Sequence, residues 1–154
     1  LVKNLGLVVT VLALIAIVIG VVFVVQGLMK NNLIVSRMDV EKVSIALDPD
    51  NPGVYTQINN AADAQRAADT IAEHRRNIAP TYQDLLGGGR FDATNPTHLT
   101  YAQAMNLENY LYMAVTAFGL VQVVIANGVF MIVVGLALVC VGLVLLRSGK
   151  NAVK

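Results

Sequence analysis

The amino-acid sequence predicts an all-α membrane protein: an antiparallel two-helix transmembrane hairpin whose long helices extend outside the bilayer and carry a small, mainly helical extracytoplasmic cap. Three observations predict it. The 154 residues are 56% hydrophobic and only 14% charged, whereas soluble domains are about a quarter charged. The 25 residues from Leu5 to Met29 and the 38 from Asn109 to Leu146 carry no charge, and about 20 apolar residues cross a ~30 Å hydrocarbon core as a helix. All ten acidic residues lie between Asp39 and Glu108.

The order of segments follows. Residues 1–4 form a cytoplasmic N-terminus, 5–29 the first span, 30–110 an extracytoplasmic segment, 111–146 a second span with an extension outside, and 147–154 a cytoplasmic C-terminus. Lys and Arg flanking spans are retained on the cytoplasmic side. Lys3 precedes the first span, and Arg147, Lys150 and Lys154 follow the second with no acid among them. The middle segment holds seven Lys/Arg against ten Asp/Glu, a formal −3, and is the part to translocate. The first apolar run exceeds the ~7 to 15 residues of a signal-peptide core and lacks a small-x-small cleavage pattern. It reads as a retained anchor.

Both spans carry small residues at a spacing of seven: Gly6, Ala13, Gly20 and Gly27 in the first, and Gly128, Gly135 and Gly142 in the second. Seven residues are nearly two turns, so each set lines one face, with a left-handed supercoil expected. Small residues let helix backbones approach closely in lipid. Antiparallel pairing of Gly6 with Gly142, Ala13 with Gly135 and Gly20 with Gly128 keeps each pair of numbers summing to 148. That register sets Lys3 beside Leu145 and Leu146, and brings Gln26 level with Gln122 and near Asn127 as interhelical polar partners. The alternative is that a stripe faces another subunit.

A helix from about residue 100 to Arg147 would be about 70 Å long, more than twice the hydrocarbon thickness. Thr100-Tyr-Ala-Gln103 has capping-box spacing and Asn95-Pro96 is an alternative start. Gly119 and Asn127-Gly128 are places for a bend. The stretch Leu111 to Ile125 then lies at or above the outer interface although nearly all apolar. Such a surface marks a partner interface or a lipid contact, with Leu111, Tyr112, Val115, Phe118 and Val121 as its candidate residues; an aromatic belt of Tyr110, Tyr112 and Phe118 is the plainer reading.

In the outer segment, Glu41 to Leu47 alternates polar and apolar residues and suits one strand or an extended passage. Asp48-Pro-Asp-Asn-Pro-Gly53 is a turn cluster. Residues from about 55 to 78 form an Ala-rich amphipathic helix ended by Pro80. A short helical turn at Tyr82 to Leu86 precedes the flexible Gly87-Gly88-Gly89, and Arg90 to Leu99 is loop.

Reactive chemistry finds little to work with. His74 and His98 lack metal-ligand spacing, although Glu73 or Asp92 would be needed to complete an iron triad with them. Asp48-Pro-Asp50-Asn51 lacks the glycine and the late glutamate of a calcium loop. The triple glycine has no following Lys-Ser/Thr, and Asn95-Pro-Thr97 is no glycosylation acceptor because of its proline. Arg75-Arg76 is too small a basic patch for nucleic acid. Neither span holds an ionisable Asp, Glu, Lys, Arg or His for a proton path. Cys140, the single cysteine, reads as a packed small residue or, alternatively, a lipidation site.

The order of short motifs resembles an uncharacterised two-span membrane protein family of Actinobacteria and Chloroflexota. The resemblance rests on Glu41-Lys42-Val43-Ser-Ile45, on Ala68 with Ile71-Ala-Glu-His74, on Thr81-Tyr82-Gln-Asp84-Leu85, and on Leu111 with Ala114 and Ala117-Phe118-Gly119. It covers most of the chain and implies two spans in a bacterial cell membrane. Members often carry an automatic label as aromatic ring-opening dioxygenases; these residues offer no iron site to match it. The expectation is therefore a non-catalytic structural or accessory protein with no cofactor, which self-associates or docks on a larger membrane complex. A module binding lipid or another apolar ligand is the alternative, and a homo-oligomeric pore lined by Gln26, Gln122 and Asn127 comes after it.

Overall fold

The computed structural model describes residues 2–42, 44–46 and 55–151. Six elements follow in chain order: α1 (Val2–Val40), β1 (Ser44–Ala46), β2 (Tyr55–Gln57), α2 (Ala61–Ile78), α3 (Tyr82–Leu86) and α4 (Pro96–Asn151). The protein is almost entirely helical, and α1 and α4 are each long and apolar enough to cross a membrane. The chain divides into a paired-helix unit, Leu1–Asn31 with Leu120–Lys154, and a cap unit, Asn32–Gly119.

Both long helices outrun their expected ends. α1 continues 11 residues past Met29 to Val40, and its end is closed by Lys42, whose amide donates to the Asp39 carbonyl and whose φ is 51°. α4 has 56 residues, about 84 Å at helical rise. It starts at Pro96 rather than near Thr100. Asn95 caps it, its side-chain oxygen accepting from the Thr97 amide at 2.9 Å, and proline suits the first helical position because its missing N–H would be unpaired there. α4 stays helical through Gly119 and Asn127-Gly128, so neither place interrupts it.

The expected helix from residue 55 begins only at Ala61. Tyr55–Gln57 instead forms a strand antiparallel to β1, with Ser44 opposite Gln57 and Ala46 opposite Tyr55. A strand partner supplied by residues 9 to 13 positions earlier overrides an alanine-rich pattern that is helical only from Ala61. The turn cluster at 48–53, and with it the calcium reading, lies outside the described residues. Asn60 then caps α2: its side chain accepts from the Asp63 amide at 3.0 Å and donates to the Asp63 carboxylate at 2.7 Å. α2 ends at Ala79, in extended conformation before Pro80, as the residue before a proline prefers. Thr81 caps α3, and Gly87 at φ 54° closes it in the left-handed region that glycine enters freely.

Ala64, Ala67, Ala68 and Ala72 are buried along one face of α2. Their small side chains let α2 lie close on Met38, Leu111, Ala114 and Phe118, and Ile58 completes this core.

Candidate functional site

In the paired-helix unit the glycines form the contact between the helices. A Cβ added to Gly20 would stand 2.7 Å from the Gly128 carbonyl oxygen, one on Gly135 3.0 Å from that of Ala13, and one on Gly6 3.1 Å from that of Gly142. Each glycine also receives a larger residue from the opposite helix one turn away. Gly6 meets Leu146, Gly20 meets Ile132, Gly27 meets Ile125, Gly128 meets Val24, Gly135 meets Ile17, Gly142 meets Thr10 and Gly149 meets Lys3, and each of these seven pairs of numbers sums to 152. The backbone contacts Gly6–Gly142, Ala13–Gly135 and Gly20–Gly128 keep the sum of 148, and each glycine is also a hole that a knob one turn farther along the opposite helix fills. Lys3 lies against Gly149.

The sequence reading missed two features of this seam. Gly149 continues the stripe of Gly128, Gly135 and Gly142 at the same spacing. Thr10, Ile17 and Val24 make a second series of seven, the knobs to the glycine holes. Thr10 meets its own polar demand by donating its hydroxyl to the Gly6 carbonyl at 2.8 Å, so no unpaired hydroxyl enters the seam.

Among the described residues no hydrogen bond joins the polar partners expected across the seam. Gln26, Gln122 and Asn127 are all exposed. Gln26 precedes the seam residue Gly27, Gln122 follows the buried Val121, and Asn127 precedes the seam residue Gly128, and one residue turns a helix by 100°. Cys140 is exposed rather than packed.

The candidate partner surface also requires correction. Leu111 and Phe118 are each 1% exposed and Val121 is 7% exposed, while Tyr112 and Val115 pack against the cap core. In the cap unit Leu111, Tyr112, Val115 and Phe118 are covered by the chain's own α2, whereas Val121 belongs to the paired-helix unit. Tyr112 adds a hydrogen bond from its hydroxyl to Asp69 of α2 at 3.0 Å.

An enclosed polar cluster joins the C-terminal part of α2 to α4. Arg75 Nε donates to Glu108 Oε2 at 2.6 Å, and Nη2 reaches Oε1 at 3.4 Å. The two side chains are 12% and 11% exposed. Arg75 also donates to the hydroxyl of Tyr101, itself 1% exposed, and its guanidinium lies 5.0 Å from the centre of that ring. Tyr82 of α3 stands 6.3 Å from Tyr101. The bond to the Glu108 carboxylate holds Arg75 above its usual pKa despite desolvation. Arg75 was read from the sequence only as a small basic patch; its partners 26 and 33 residues away left no local signal.

The histidines sit apart from this cluster. His74 is exposed on α2. His98 accepts the Asp92 amide at Nδ1, 3.0 Å away, and lies 5.5 Å from the Phe91 ring. Asp92 accepts both the hydroxyl and the amide of Thr94, at 2.7 and 2.8 Å, and these bonds, the hydroxyl's first, hold its carboxyl below the usual range. Among the described residues no three His, Cys, Asp or Glu side chains converge as a metal site would require. Models of known families, curated proteins and solved structures all returned no match to the chain.

Proposed function

We propose that this protein is a non-catalytic accessory protein of a bacterial cell membrane, in which the paired helices form a transmembrane hairpin that holds the cap outside. The observation that carries this reading is the surface of the paired-helix unit. Outside the glycine seam, Leu7, Leu12, Val18, Phe130, Val133 and Val144 and their neighbours stand about half or more exposed. A patch of that extent has no soluble counterpart, since monomers in water expose a few hundred Å² at most, whereas lipid solvates it. Lys3 packs beside Gly149, and Arg147 is near Gly149 in sequence; the positive-inside rule then puts both termini in the cytoplasm and the acidic middle segment outside.

Within this reading the cap is a rigid platform. Its enclosed polar groups Arg75, Glu108 and Tyr101 are closed on one another, which suits positioning more than chemistry. Residues of the cap left exposed and apolar, such as Met113 at 70%, are what remains for a neighbour in a homo-oligomer or larger membrane complex. The test is the mass of the protein after crosslinking in its native membrane and extraction in mild detergent. Species heavier than one chain are expected; a lone monomer at all crosslinker doses refutes the accessory role. A second reading, a lipid-binding module, is favoured by a groove in the cap unit.

A further inference from the structure

Two recesses of the cap unit share Tyr110 as a common wall. The first, about 290 Å³, is lined by Leu33, Ile34 and Met38 of α1 and by Met113, Ala114 and Ala117 of α4, with Arg37 at its side. The second, about 530 Å³, is lined by Glu41 just past α1 and by Gln103, Asn106 and Leu107 of α4. Together they fall in the volume range of small-molecule sites, about 300 to 1,000 Å³.

The lining is sorted by polarity along both helices. Along α1 and just past its end it runs from Leu33 to Glu41, and on α4 from Ala117 to Gln103, apolar first and polar last in each case. Leu33 comes three residues after Lys30, the first charge beyond the apolar run of α1. The apolar end of the groove is thus the end toward the apolar run of each helix, which is the polarity of an amphiphile standing in the outer leaflet.

The charges specify the head. Arg37 in the last turn of α1 and Glu41 just past its end are four residues apart and both exposed. Neither has an ion-pair partner among the described residues, and they do not pair with each other although i, i+4 spacing would allow it. A head carrying both a phosphate and an ammonium satisfies the two together, while a purely anionic head leaves Glu41 opposed. Gln103 and Asn106 supply amide donors and acceptors beside them.

We propose that this groove binds one lipid with a zwitterionic phosphate-ammonium head, its acyl chain along Leu33, Ile34, Met113 and Ala117 and its head at Arg37 and Glu41. The inference rests on the membrane placement proposed above. Its test uses the full chain in lipid nanodiscs doped with either phosphatidylethanolamine or phosphatidylglycerol, each carrying the same photoreactive diazirine on its acyl chain, and maps adducts by peptide mass spectrometry.

The ethanolamine probe is expected to label peptides containing Leu33–Met38 and Tyr110–Ala117 above the glycerol probe. Ala117→Trp, which fills the apolar end, lowers that labelling about tenfold, the factor that ~1.4 kcal/mol of affinity confers, and leaves labelling around Val133 unchanged. Glu41→Gln removes the preference between the two heads. Labelling confined to the apolar runs, with the groove peptides unmarked, overturns the groove and leaves the membrane reading standing. Labelling of neither overturns the membrane reading itself. Equal groove labelling by both probes, or a preference that survives Glu41→Gln, overturns the assignment of the head.

Discussion

Replacing Gly128 by alanine tests whether the seam is held by backbone approach. The added Cβ would lie 2.7 Å from the Gly20 carbonyl oxygen, 2.8 Å from Val24 Cγ2 and 2.9 Å from Val24 N, where ordinary contact begins at 3.4 Å. Val24 Cγ2 can turn away, but the carbonyl and amide belong to a helix backbone and move only with it. Restoring contact distance to the oxygen needs about 0.7 Å of separation, and a gap of about 0.5 to 1 Å forfeits a quarter to a half of each dispersion contact along the seam. Overpacking of this kind costs about 1–3 kcal/mol. Alanine returns up to ~1 kcal/mol of helix propensity, so a net loss of about 1–2 kcal/mol is expected.

Spin labels at Asn4→Cys and Ser148→Cys, in a Cys140→Ser background, report the pairing as a short label-to-label distance in detergent micelles. Titration with a denaturing detergent then gives the midpoint at which that distance is lost. Gly128→Ala should lower the midpoint. Gly119→Ala, with nothing within 4 Å of its added Cβ, should leave it unchanged or raise it. The double Gly20→Ala, Gly128→Ala should cost less than the sum of the singles, since one separation relieves both clashes. Equal shifts for Gly128→Ala and Gly119→Ala would refute the argument, because the loss would then belong to the helix and not to the contact.

Other outcomes are expected in the cap. Arg75→Met or Glu108→Leu alone should lower its stability by about 3 kcal/mol, because the partner is left enclosed and unpaired, and the double variant should cost less than either single; thermal unfolding of the purified protein reads this, and additive losses would count against the pair. Phe118→Ala should cost about 3–5 kcal/mol as a core cavity, while Met113→Ala, at an exposed position, should stay within about 0.5 kcal/mol, a contrast that limited proteolysis of α2 would show. The Asp92 carboxyl, depressed by Thr94, should keep its loop bonds at every pH above the unfolded carboxyl value of about 3.9 and lose them only as pH falls through its lower folded value. The Thr94 amide resonance follows this directly, and a midpoint at or above about 3.9 would remove the bond's role.

Much of the architecture is legible in local sequence because its causes are local. The two charge-free runs are long enough to span, Asn60 and Thr81 are side-chain caps, Pro80 and Gly87 are stops, and the glycine repeat places small residues on one face of each long helix. The knobs at Thr10, Ile17 and Val24 were legible too, since they share the same spacing. They went unread because β-branched residues in an apolar run carry no contrast with their neighbours, whereas glycines do.

Tertiary structure alone decided the rest. Leu111 and Phe118 have the same apolar character whether they face a partner, lipid or α2, and only the approach of the alanine face of α2 makes them core. β2 depends on a partner strand, so an alanine-rich window could not announce it. Arg75 finds Glu108 and Tyr101 across a turn, a triple glycine and half a helix. The sequence by itself determined where the two long apolar helices lie, since these follow from each residue's own transfer energy and backbone preference. Which apolar faces are covered, and which remain for lipid or a neighbour, depends on pairs of residues far apart in the chain, and pair energies exist only once the chain has folded.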